Sequence, residues 1–170
     1  MWKYTGAHRP AFAQEPKLGQ ESVWDYPRPP ALQSSAATII VATKDVQLAR
    51  TCRSLRMLET AGPPTFYIPE TDIQWEALVE IEQRSFCEWK GQAIYFALAG
   101  DPQQTPVAWL YANPAPAYLA IDRHASFYPG RVDCFVDDER VQPQPGHFYG
   151  GWITANIVGP FKGDPGTSGW

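Results

Sequence analysis

Cys87 and Lys90, in the segment Cys87-Glu88-Trp89-Lys90-Gly91, form the sharpest chemical pair in the sequence. A cation close to a thiol lowers its pKa and enriches the thiolate that nucleophilic attack requires. The competing use is structural, with a small buried hydrophobe at 87 and a solvated turn lysine at 90. No partner base can be named for the thiol, so ligand contact by Lys90 is favoured over attack by Cys87. Glu59 follows an apolar stretch and precedes Pro63-Pro64. Beside Arg53 or Lys90 it would act as an acid, a base or an orienting group; otherwise it is a solvent-facing carboxylate. Arg53 and Arg56 equally suit surface ion pairs, which contribute ~0–1 kcal/mol.

The aromatic residues Tyr67, Tyr95, Trp109, Tyr111, Phe127 and Tyr128 are first of all core material. Alternate strand positions share a face, so Trp109 and Tyr111 point the same way, while Phe66 and Tyr67 point oppositely. A concave sheet face carrying Tyr67, Trp109 and Tyr111 makes a pocket for a flat or apolar ligand, with hydroxyls to orient it.

Other chemistries find no footing. His8, His124 and His147 are isolated, and the cysteines offer no paired spacing, so no metal centre is expected. Asp137-Asp138-Glu139 reads as a solvated hairpin turn and not as a Mg²⁺ site. Gly159-Pro160-Phe161-Lys162-Gly163 lacks the amide donors of a phosphate cradle, and no cofactor is expected. A net charge of −4 and a pI near 5.3 provide no basic field for nucleic acid. Three well-separated cysteines fit a reducing cytoplasm better than a disulfide framework. Neither a signal peptide nor a membrane span is expected.

These side chains need rigid elements to hold them. Seventeen prolines in 170 residues, about double the ~5% average, break long helices. Twenty-three Trp, Tyr and Phe residues exclude a disordered chain. A mainly β fold follows. Strands are expected at 38–42, 46–50, 55–60, 65–68, 84–87, 93–98, 107–111 and 132–136, with turns at Lys44-Asp45 and Lys90-Gly91. One short helix is expected over 71–81, with Thr71 or Asp72 as cap and residues 73, 77, 78 and 81 as its apolar face. Residues 1–37 read as an extended arm, 38–141 as the domain, and 142–170 as an extended tail that packs on it.

Four ordered motifs resemble a known family. They are Ala49 to Thr60 followed by Pro63-Pro64-Thr65-Phe66-Tyr67-Ile68-Pro69; Cys87-Glu88-Trp89-Lys90-Gly91-Gln92-Ala93; Trp109-Leu110-Tyr111-Ala112-Asn113-Pro114; and Phe127-Tyr128-Pro129. The family is a domain of unknown function catalogued as "nucleotidyltransferase domain 2", and the arms resemble its longer, cyanobacterial-type form. The resemblance implies a small bent all-β domain of β-tent type, two antiparallel sheets opening from a common ridge. It also places Glu59 in a motif.

The function expected is capture of a small molecule by Glu59, Tyr67, Cys87, Lys90, Trp109 and Tyr111. Two alternatives stand beside it: an enzyme using Cys87 or Lys90, and an interaction protein using its Pro/Trp-rich arms.

Overall fold

The computed structural model describes residues 2–170. In chain order its strands are β1 (Glu21–Ser22), β2 (Ala31–Ser35), β3 (Ile39–Ala42), β4 (Gln47–Thr51), β5 (Ser54–Leu58), β6 (Thr65–Pro69), β7 (Leu78–Cys87) and β8 (Gly91–Leu98). They continue as β9 (Pro106–Tyr111), β10 (His124–Phe127), β11 (Asp133–Val136), β12 (Glu139–Arg140), β13 (Gln142–Pro143), β14 (Trp152–Ile153) and β15 (Ile157–Val158). Seven form one antiparallel sheet in the order β2-β5-β6-β10-β9-β8-β7. Four form a second, β12-β11-β3-β4, also antiparallel. Neither closes into a barrel.

Strand alternation explains how both faces of the larger sheet become buried. On one face, Phe66 and Ile68 of β6, Phe96 of β8 and Phe127 of β10 meet Ile39 and Val41 of β3, Leu48 of β4 and Cys134 of β11. Each such side chain removed from water contributes about 1.5–3 kcal/mol. The opposite face carries Met57, Tyr67, Tyr95, Trp109 and Tyr111. Phe66 and Tyr67 therefore do point apart, and Trp109 and Tyr111 together.

Local chemistry accounts for the turns. Thr43 Oγ1 accepts from the amides of Asp45 and Val46, closing the β3–β4 connection at Lys44-Asp45. Asp137 and Asp138 have φ of +46° and +68°, a two-residue hairpin turn whose twist matches the flanking strands.

Residues 71–81 differ from expectation. Two 3-10 turns, Glu70–Asp72 and Trp75–Ala77, lead directly into β7. The candidate caps are engaged elsewhere, since Arg53 donates to Thr71 Oγ1 at 2.8 Å and to Asp72 Oδ1 at 2.8 Å. Val79 and Ile81 take ladder positions opposite Ala97 and Tyr95 of β8. Pairing with the following strand overrides the local period. No helix among the described residues is long and apolar enough to cross a membrane.

The arms join the structure at both ends. Residues 31–35, read from sequence as the end of an extended arm, are β2, which pairs along its length with β5. Trp24 and Trp152 are fully buried, and their indole N–H groups donate to Pro160 O and Phe127 O at 3.1 and 3.0 Å. The arms also pair with each other, β1 running parallel to β15.

Candidate functional site

Each of the six expected site residues comes from a different point along the large sheet. Glu59 follows the last residue of β5, and Tyr67 lies in the middle of β6. Cys87 ends β7 and pairs with Gly91, so that Lys90 occupies the connecting turn. Gly91 has φ +100°, a backbone conformation strained for any residue with a Cβ. Ala93 then pairs with Tyr111, bringing β9 alongside. The six converge on one cavity of about 260 Å³.

Residues outside the sequence-derived set complete its wall. Ser85, Tyr95 and Tyr128 come from the sheet face and its loops, Arg28 from the N-terminal arm, and Phe148, Tyr149, Gly150 and Lys162 from the C-terminal tail. Gly150 lies so close to the indole that a Cβ there would sit 2.3 Å from Trp109 Cη2. Only a residue without a side chain lets the tail approach this far. Trp109 stacks obliquely on Tyr128 at 4.5 Å, and Tyr67 lies 6.4 Å from Tyr111. Tyr95 and Ser85 share a hydroxyl hydrogen bond of 2.7 Å. Arg28, between two prolines, carries no local signal, and Lys162 stands in Gly159-Pro160-Phe161-Lys162-Gly163, a segment that the sequence offers only as a phosphate cradle without amide donors.

The pairing of charges corrects one expectation. Of the arrangements open to Glu59, an ion pair with Arg53 or Lys90 is not the one formed; its ion pair is with Arg28, at 3.4 Å. Arg53 instead holds Asp72. The reason is geometric: residues 53 and 59 flank opposite ends of β5, and only the Glu59 end reaches the cavity. The Arg28 side chain, 1% exposed, also donates to Thr60 O at 2.9 Å and Tyr4 O at 3.2 Å. Lys162 donates to Trp170 O at 3.0 Å, and burial together with nearby Arg28 pushes its pKa down. Lys90 Nζ sits 5.6 Å from the Tyr111 ring centre.

Burial pushes the Tyr67, Tyr111 and Tyr128 hydroxyls above the ordinary phenol range, so all three stay protonated at neutral pH. For Tyr111 the neighbouring Tyr67 and Cys87 add to the effect. The cavity thus offers neutral hydroxyls, aromatic faces and buried cations, with a thiol at its edge. Among the described residues, no group of three or more His, Cys, Asp or Glu side chains is arranged to hold a metal ion.

No curated protein matches the chain. Residues 31–138 match the model of a family described as a domain of unknown function (DUF427). The match includes the six expected site residues, with Ser85, Tyr95 and Tyr128, but excludes Arg28, Phe148, Tyr149 and Lys162, so the arms supply part of the cavity wall. By this match, which covers well over half of its length, the chain belongs to the DUF427 family.

Proposed function

We propose that this protein captures a small molecule in the cavity between the large sheet and the C-terminal tail. One observation carries the reading. Four buried aromatic residues, Tyr67, Trp109, Tyr111 and Tyr128, border a half-open concave cleft of about 260 Å³ together with charged side chains, the make-up of a small-molecule site. At ~30 Å³ per water that is room for roughly nine waters, or for a compact ligand. Lys90 and Glu59 supply polar contacts, and the tyrosine hydroxyls fix orientation.

Native mass spectrometry of the protein purified from cells tests the reading. A non-covalent adduct is expected on the unaltered chain and absent from Trp109→Ala and Lys90→Met, with circular dichroism unchanged. Equal retention of the adduct by both variants would remove the cavity from consideration.

A covalent step by Cys87 on the captured molecule is the second reading, supported by its place on the cavity wall beside Tyr111. No histidine borders the cavity to serve as its base. A partner-docking role for the arms has less support, because Trp24 and Trp152 are buried within the protein.

A further inference from the structure

Lys90 is 8% exposed, yet its ammonium makes no ion pair with any described carboxylate. The stem is buried, but Nζ is not among the fully buried atoms without a partner, so the ammonium keeps contact with water. A molecule that fills the cavity removes that water at a cost of several kcal/mol unless it brings a counter-charge. Nζ lies 5.6 Å from the ring centre of Tyr111, and both residues line the cavity. Glu59, the one carboxylate in the cavity wall, is turned to Arg28. Three cations, Arg28, Lys90 and Lys162, thus face a single carboxylate.

We infer that the captured molecule is a small aromatic anion, one ring bearing a carboxylate or phosphate group, with that group held by Lys90 and the ring among Trp109, Tyr111 and Tyr128. The inference rests on the proposed capture role and narrows it. A neutral ligand would bury the ammonium still further without a counter-charge, and a cationic one would add like-charge repulsion. An anion forms a charge-assisted hydrogen bond with the ammonium, shorter and about twice as strong as a neutral one. Protonated tyrosine hydroxyls add neutral donors for the same group. The ring follows from the walls, where flat faces stack on flat faces with a further ~0.5–1.5 kcal/mol per pair. A cavity of about 260 Å³ lies just below the ~300–1,000 Å³ of drug-sized sites, which suits one ring and its substituent.

Calorimetric titration of the full chain with benzoate, phenyl phosphate, benzamide and inorganic phosphate tests this. At least one of the two aromatic anions should bind about tenfold or more tightly than both benzamide and inorganic phosphate. Which anion binds better identifies the charged group. Lys90→Met should weaken that anion by about tenfold, Lys90→Arg should restore part of the loss, and the exposed turn variant Lys44→Met should change nothing. Benzamide binding as tightly as the aromatic anions would overturn the anion but leave the capture reading standing. Inorganic phosphate matching the better-bound aromatic anion would overturn the ring. If none of the three aromatic probes binds, the inferred ligand class is overturned, while the capture reading is decided separately by the adduct in native mass spectrometry. The comparison of ligands uses the unaltered chain, so it decides the matter even if Lys90→Met does not fold.

Discussion

Arg28 Nη2 lies 3.4 Å from Glu59 Oε1, so a residue of the N-terminal arm is the counter-ion of a residue at the end of a central strand. That guanidinium also caps the buried carbonyl of Thr60 at 2.9 Å. Arg28→Met strands an acceptor and a carboxylate together. We expect a loss of about 1–3 kcal/mol in urea denaturation. An unchanged midpoint would mean that the arm is held by its aromatic packing alone.

Trp152 shows that the tail belongs to the core. Its ring is fully buried 5.1 Å from Phe66, in the cluster between the two large sheets. Trp152→Ala is expected to destabilise by about 3–5 kcal/mol, the range for deleting a buried aromatic ring. Thermal unfolding measures it, and a loss typical of a surface position would contradict the packing described.

Acid stability should depend on Asp72. Hydrogen bonding from the Arg53 guanidinium, with a smaller share from Thr51, lowers its pKa from 3.8 to about 2. A folded pKa below the unfolded one stabilises the fold at pH values above the unfolded pKa, and that stabilisation is lost as pH falls toward about 2. Asp72→Asn should therefore lower Tm at neutral pH, with the difference shrinking in acid. A difference that grows as pH falls would contradict the pairing.

The three cysteines should label in the order of their surroundings. Cys52 is exposed, Cys87 is half-buried at the cavity edge, and burial pushes the Cys134 thiol upward. Iodoacetamide at neutral pH should modify Cys52 first and Cys134 only on unfolding, read by intact mass. Should Cys87 outpace Cys52, the covalent reading would move ahead of simple capture.

The faces of several residues that line the cavity are legible in the sequence, because alternation along a strand is a local rule. Val107-Ala108-Trp109-Leu110-Tyr111 already says that 109 and 111 share a face, and Thr65-Phe66-Tyr67-Ile68 that 66 and 67 do not. The turn at Lys90-Gly91 was legible for the same reason, as glycine marks the backbone that a tight reversal needs. The stretch from 71 to 81 misled because its apolar spacing suits a helix. Arg53, well upstream, and β8, the partner strand in the following hairpin, decide otherwise.

What the sequence determined by itself was most of the strands from β3 to β9 and β11, the faces of their side chains and the motifs that mark the family, since these depend on neighbours a few residues apart. Only the tertiary structure decided that Arg28 and Lys162 would join Lys90 around the same rings, and that Glu59 would answer Arg28. Such meetings depend on how arms separated by more than a hundred residues fold back over a sheet, and no local spacing encodes that distance.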